Sequence, residues 1–319
     1  MAKHSWQKIL DRLVPQSKLN NNVNESKSNL YLLAEHLDIS QEKLLHFKNN
    51  IGSHYHIFKV DKKSSERREI YAPSPSLKDL QYKILEYLQS FPTHSAVTGF
   101  KSGGSIIVNA CAHLNQLTFL ITDIKDFFGS TCASRVREFF AQQGWERESL
   151  DTLVSLCTFN GGLPQGAPSS PCLSNILNNE LDEIIYQLAA NYSATYTRYG
   201  DDLAFSWPVS FIHNRFQVDI TQVLLKFGYE ISAQKGWKTF RAEDEPEITG
   251  IILTRDGKLR VPQRIHDKLS QLYLQDTTNY HTQMQIKGYN SYIKGIELDQ
   301  YDYLYENNQD FDSSYNLPF

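Results

Sequence analysis

Four cysteines are spread over 319 residues, and no two of them stand in a Cys-x-x-Cys pair. Cys111, Cys132, Cys157 and Cys172 read as reduced thiols, which excludes a disulfide scaffold and a zinc framework. No apolar run approaches the ~20 residues of a membrane-spanning helix, so no membrane is expected as a partner. The opening Met-Ala-Lys-His-Ser-Trp-Gln-Lys lacks the apolar core of a signal peptide. Together these absences predict a cytoplasmic protein. No internal repeat is visible, which excludes a stacked-repeat architecture. Lys and Arg are missing from Glu297 to Phe319, a stretch with six acidic residues. The net charge of −4 argues against nucleic acid as a partner, but the average hides an asymmetry. Arg255 to Lys294 holds seven Lys or Arg against three acids, and local clusters decide phosphate contact.

What is present is a mixed α and β pattern. Trp6, Ile9, Leu10, Leu13 and Val14 fit one helical face. Helices are expected over Leu30–Leu37 and, capped by Ser40, over Gln41–Phe47. Tyr55–Val60 and Arg68–Tyr71 read as a hairpin with a basic tip. Ser76 is the expected cap of a helix over Leu77–Leu88. Leu117–Ile124 is an apolar strand, and Cys172–Ala190 reads as one helix. Glu247–Leu253 reads as a strand, and the chain from Arg260 onward as largely helical. The sum is an α+β fold: an antiparallel sheet with helices on one face.

Chemistry concentrates in Tyr199-Gly-Asp-Asp202. Strand-like Ala194-Thr-Tyr-Thr-Arg-Tyr199 and Leu203-Ala-Phe-Ser-Trp207 flank it, so Gly-Asp reads as a tight hairpin turn. Two adjacent carboxylates repel unless a cation neutralises them, and hard divalent metals take such oxygen ligands. Asp123 ends the strand Thr118-Phe-Leu-Ile-Thr122. With Asp201 and Asp202 it makes three carboxylates that one sheet edge can gather. Such a site holding two Mg²⁺ ions about 4 Å apart suits in-line phosphoryl transfer. Asp126 reads as a surface or helix-start residue. The bland alternative for the acidic pair is a solvated turn.

These stretches resemble the ordered boxes of reverse transcriptases. Tyr199-Gly-Asp-Asp202 looks like their catalytic box, and Asp123-Ile-Lys-Asp-Phe-Phe128 resembles the first catalytic box. Leu163-Pro-Gln-Gly-Ala-Pro-Ser-Ser-Pro171 is similar to the loop that positions template and nucleotide. Arg68-Glu-Ile-Tyr-Ala-Pro73 resembles the opening box of the fingers. Two further stretches resemble retron enzymes in particular. Asn109-Ala-Cys-Ala-His113 fits an Asn-Ala-x-x-His signature, and Ile248-Thr-Gly250 is similar to a Val-Thr-Gly signature. Gly200 stands where many retron enzymes carry Ala.

The resemblance implies a right-hand polymerase with N-terminal helices and fingers over 1–115, palm over 116–253 with a fingers insertion near 160–190, and thumb plus acidic tail over 254–319. It implies Asp123 and Asp201 as principal metal ligands, with Asp202 sharing the second Mg²⁺. Phe128 is expected as a steric gate against the ribose 2′-OH; its alternative is a core Phe beside Phe127. Gln165 would hydrogen-bond the nucleotide or template. Arg68, with Lys62 or Lys63, would grip the triphosphate of a deoxynucleotide. Lys235 would protonate the leaving pyrophosphate; its alternative is a solvated lysine. Asn109 and His113, one helical turn apart, are expected to read RNA; their alternative is two polar residues on an exposed face. Arg260, Arg264 and Lys268 are expected as a basic stripe along one thumb helix.

The implied function is RNA-directed DNA synthesis on one cognate structured non-coding RNA. That RNA would also prime from a 2′-OH, giving branched RNA–DNA (msDNA), in bacterial antiphage defence with a separate effector protein. After Gly250 about 69 residues remain, a length that suits a thumb and no further domain. The rival readings are a group II intron or diversity-generating reverse transcriptase and a non-catalytic RNA-binding scaffold.

Overall fold

A computed structural model describes residues 29–61, 67–275 and 277–307. The helix expected at Trp6–Val14 and the cations Lys62 and Lys63 lie outside the described residues.

In chain order, helices α1 (Asn29–His36) and α2 (Gln41–Asn49) come first. Ser40 caps α2, its hydroxyl accepting the Lys43 N–H at 3.3 Å. Strands β1 (Tyr55–Asp61) and β2 (Arg67–Pro73) pair antiparallel. Helix α3 (Pro75–Leu88) is capped by Ser74, not Ser76. Pro75 fits its first turn because that N–H has no helical partner to lose. Next come α4 (Ile106–Cys111), β3 (Thr118–Asp123), the short α5 (Phe127–Ser130), α6 (Ala133–Gln142) and α7 (Arg147–Cys157). The helix expected over Cys172–Ala190 is two helices, α8 (Ser170–Leu177) and α9 (Asn179–Asn191). Asn178 separates them, and its amide donates back to the Ser174 carbonyl at 2.8 Å.

Strands β4 (Thr195–Tyr199) and β5 (Asp202–Trp207) form the expected hairpin, followed by α10 (Phe216–Lys226) and β6 (Lys238–Arg241). The strand expected over Glu247–Leu253 is itself a hairpin of β7 (Glu247–Ile248) and β8 (Ile251–Leu253). Its turn residues have positive φ, 47° at Thr249 and 90° at Gly250. Strand β9 (Leu259–Arg260) and helices α11 (Gln263–Tyr273) and α12 (Tyr280–Asn307) complete the chain.

The chain condenses into two compact units. The first takes the described residues up to His94, with Lys125–Leu181 and Lys226–Tyr229. Its core joins Leu33 and Leu37 of α1, Leu44 of α2, Leu77 and Ile84 of α3, Phe140 of α6 and Leu156 of α7. One polar group lies inside it. The Gln81 amide donates to Tyr55 Oη at 2.8 Å and to the Leu156 carbonyl at 2.9 Å, which meets the requirement that buried donors be paired.

The second unit takes Ser95–Ile124, Asp182–Leu225 and the chain from Glu230 onward. Its main sheet has the order β4-β5-β3-β6, every pair antiparallel. Strand β3 is central and buried along most of its length, which its apolar sequence dictates. A smaller sheet, β7-β8-β9, contributes Ile248, Ile251, Leu253 and Leu259 to a core shared with Ile107 and Ala110 of α4 and Ile296 of α12.

Candidate active site

Register sets the site. Asp123 is the last residue of β3, Asp202 the first of β5, and the two are directly opposed in the antiparallel pair. Strand β4 reaches the same end, Tyr199 pairing with Asp202. Gly200 makes the turn with φ 63°, and a Cβ there would stand 2.9 Å from the Phe100 ring. Only glycine suits both the left-handed backbone and the close approach. One backbone bond ties the two acidic segments together, Ile124 N–H to the Asp201 carbonyl, and a second holds Asp123 to Ser232, whose N–H donates to the Asp123 carbonyl, each 2.9 Å. Three carboxylates therefore share one end of one sheet.

A lysine faces them. Lys235 Nζ lies 3.0 Å from Asp123 Oδ2. Burial pushes the Asp123 carboxyl above its ordinary value; Lys235 and Lys238 pull the other way, and Asp201 adds to the rise. Burial alone would lower Lys235, but the hydrogen bond and charge of Asp123, with Asp202 and Asp201 behind it, hold the ammonium above its ordinary value. Lys238, on β6, is a member of this group that sequence reasoning missed. Among the described residues no three metal-ligating side chains already converge into a cage. The donors nonetheless fit a hard divalent cation: they are carboxylate oxygens, one partly desolvated, and an ammonium already stands against it as a cation.

A buried frame supports the turn. Arg198, on β4, is fully buried and bonds Asp182 of α9 in a fork, Nε to Oδ1 at 2.8 Å and Nη2 to Oδ2 at 2.6 Å. Tyr196 donates its hydroxyl to the same carboxylate at 2.8 Å. The remaining guanidinium nitrogen, Nη1, donates to the Gly200 carbonyl at 3.1 Å. A charge this deep persists only when paired and hydrogen-bonded, and here it is both. The signal in the sequence was a lone arginine inside a strand-like run.

The first unit carries Arg68, Phe128 and Gln165. Arg68 lies exposed on β2. The Leu163–Pro171 loop is tied to that strand, Tyr71 N–H donating to the Gln165 carbonyl at 2.8 Å. Gly166 allows the approach: with φ 128°, a Cβ there would lie 2.8 Å from the Tyr71 oxygen. Leu163 N–H donates to the Phe128 carbonyl at 3.0 Å. Phe128 is half-buried, edge-on to Phe127 at 5.5 Å, and Phe127 stacks on Tyr229 at 5.7 Å. Asp126 heads α5 in the left-handed region, φ 43°, consistent with a helix-start residue.

With this geometry in place, comparison with known proteins gives a family. The description "Reverse transcriptase (RNA-dependent DNA polymerase)" matches residues 60–253. The chain belongs to the reverse transcriptase family. The retron Mx162 reverse transcriptase of Myxococcus xanthus is 32% identical over 275 residues, covering 73% of this chain and 56% of that protein. The retron Ec86 reverse transcriptase of Escherichia coli is 37% identical over 185 residues, 56% of this chain and 57% of that protein. The retron Ec83 reverse transcriptase of Escherichia coli is 28% identical over 225 residues, 66% of this chain and 72% of that protein. The chain spans a little over half the length of the first two. These relatives support the resemblance to retron-type enzymes that the motifs carry. The α+β architecture has the antiparallel sheet that the sequence predicts.

Two expectations for this reverse transcriptase are corrected. Asn109 and His113 do not form an exposed RNA-reading face; they are 1% and 0% exposed. Asn109 Oδ1 accepts from Thr98 Oγ1 at 2.7 Å, and its Nδ2 donates to Thr249 Oγ1 at 3.2 Å. Both His113 nitrogens are engaged, with Ser206 Oγ and Thr197 Oγ1, each at 2.7 Å. Burial pushes the imidazole down to about 3, so it is neutral. Asn109, on α4, and His113, just past its end, turn inward because Thr98, Thr249, Thr197 and Ser206 offer hydroxyls there. The basic stripe is corrected as well. Arg260 belongs to β9, before the helix, and pairs with Glu245. Arg264, on α11, forms a two-pronged pair with Glu247. Lys268 is exposed on α11. Among the described residues no helix is long and apolar enough to cross a membrane.

Proposed function

We propose that this chain is the RNA-directed DNA polymerase of a retron. The observation that carries the reading is the register of Asp123 against Asp202, with the Lys235 ammonium drawn onto the acids. Asp123 and Asp201 are the principal ligands for two Mg²⁺ ions, and Asp202 shares the second. The bound ions supply charge neutralisation at the attacking hydroxyl and at the departing pyrophosphate. Lys235 stands within reach of the same space and holds a proton it can give to the leaving group. Arg68 contacts the triphosphate as a charge-assisted donor. Gln165 faces nucleotide or template, and Phe128 screens the sugar. Residues 1–115 serve as fingers, 116–253 as palm and 254–319 as thumb with its tail.

Likeness to retron enzymes supports the finer reading. The template is one structured non-coding RNA, the primer a 2′-OH of that RNA, the substrates deoxynucleoside triphosphates and the product msDNA. A separate effector protein and a role in antiphage defence belong to the same reading. The four free thiols support a cytoplasmic setting. The test is to sequence the nucleic acid that copurifies with the protein, before and after RNase. One RNA joined to its own complementary DNA supports the reading; a random mixture, or RNA alone, counts against it.

A further inference from the structure

We propose that Asn109 and His113 are positioning residues: a buried brace that sets the Asp201–Asp202 hairpin and ties it to the Thr249–Gly250 turn. The inference rests on the polymerase reading above and gives these two residues a role other than RNA contact.

The geometry has two arms. His113 is the first. Its ring reaches Thr197 on β4 and Ser206 on β5, the two strands of the catalytic hairpin. A neutral imidazole donates from one nitrogen and accepts at the other, so each strand is held by a directional bond. Thr197 lies two residues before Tyr199. Asn109 is the second arm. Its amide accepts from Thr98 and donates to Thr249. Thr98 in turn holds the backbone of Arg198, its N–H donating to the Arg198 carbonyl at 2.9 Å. The Arg198 guanidinium then grips the Gly200 carbonyl at 3.1 Å. An unbroken polar chain, Thr249–Asn109–Thr98–Arg198–Gly200, thus joins one turn to the other.

Both turns border one cavity of about 320 Å³, lined by Asn109, Tyr199, Asp202, Thr249 and Gly250 among others. Apolar side chains of equal volume would fill the same interior at little cost in stability. Paired polar groups add direction, and direction is what a metal site built from separate strands requires. Asn109 bonds Thr98 and Thr249, and His113 bonds Thr197 and Ser206, so each acts on the acids through the hairpin.

The test edits the far ends of the brace. Thr197→Val and Thr249→Val each delete one hydroxyl; Thr197→Ser and Thr249→Ser keep it. The substrate is an ordinary DNA primer annealed to a generic RNA template. If the wild-type protein makes no DNA, the polymerase reading fails, and the brace with it. If it does, four quantities are measured per active molecule: kcat, the deoxynucleotide KM, the Mg²⁺ giving half the maximal rate, and duplex affinity. Each Val variant is expected to lower kcat about tenfold or more, as small misplacements of reacting groups do. Each should also need several-fold more Mg²⁺, while KM and duplex affinity stay within about twofold of wild type. The Ser variants should restore both kcat and the Mg²⁺ requirement. Val variants with wild-type kcat and Mg²⁺ requirement would overturn the proposal. So would a loss seen only on the cognate RNA, or one that the Ser variants share. Thr249 is half-exposed in a turn, so its pair of variants stands if Thr197→Val does not fold.

Discussion

Lys235 stands on Asp123: the ammonium nitrogen lies 3.0 Å from Oδ2 of the carboxylate. This pair explains how three acids can crowd one sheet end. The lysine supplies part of the positive charge that the acids call for. It also keeps Asp123 lower than burial alone would leave it.

Removing that charge moves a pH limb. Burial raises the Asp123 carboxyl, and Lys235 opposes the rise. In Lys235→Met the carboxyl should rise further, so metal-competent carboxylate persists only at higher pH. The acidic limb of the rate–pH profile should shift upward, with kcat reduced throughout. The check is kcat against pH at saturating Mg²⁺ for both proteins. An unmoved or lowered limb would contradict the electrostatic account.

Sugar selection tests Phe128. The ring is half-buried against Phe127, which leaves part of it to meet a substrate. Phe128→Val should admit a 2′-OH. The ratio of ribonucleotide to deoxynucleotide incorporation should rise by tenfold or more, roughly 1.4 kcal/mol. An unchanged ratio in a folded, active variant would mean that Phe128 serves only as packing.

Glu247 holds back a cation of α11. Its carboxylate takes both prongs of Arg264. Glu247→Gln should release the guanidinium to phosphate. Duplex affinity should then increase at low salt, and the log–log salt slope should steepen by about one contact's worth, roughly 0.9. Affinity measured at several salt concentrations decides it. A slope equal to wild type would show that Arg264 gains no phosphate.

Acid should cost this fold a histidine. Burial pushes His113 down to about 3, while the unfolded chain titrates near 6.5. Between those values the unfolded state binds a proton that the folded state refuses, so stability falls as pH drops below 6.5. At pH 5 the loss from this one group is about 2 kcal/mol. His113→Gln should show a shallower loss between pH 7 and pH 5 by chemical denaturation. Equal losses in both proteins would contradict the assignment.

Much of the site was legible because its signals are local. Asp123 at the end of an apolar strand and Gly-Asp between two β-like runs each specify a position, and antiparallel pairing brings the positions together. What failed was burial. Asn109 and His113 are polar and one helical turn apart, a pattern that fits a wet face or an internal network equally well. Only Thr98, Thr197, Ser206 and Thr249, distant in sequence, decide for the network. Arg198 and Asp182 were missed for the same reason. Strand β6 carries mostly exposed residues, so it lacked the alternation that reveals a strand. Arg260 was placed on a helix because spacing alone does not show where Pro262 lets that helix begin.

The central claim is that three carboxylates on one sheet end make DNA on an RNA template. It is tested most directly by Asp201→Asn, which keeps shape and removes one charge. Incorporation of labelled deoxynucleotide on a primed RNA template and thermal melting are measured together, in Mg²⁺ and in EDTA. The account predicts synthesis by the wild type in Mg²⁺ alone, none detectable from the variant, and a melting temperature for the variant no lower than wild type. Near-normal incorporation by Asp201→Asn, or wild-type synthesis that survives EDTA, would contradict it.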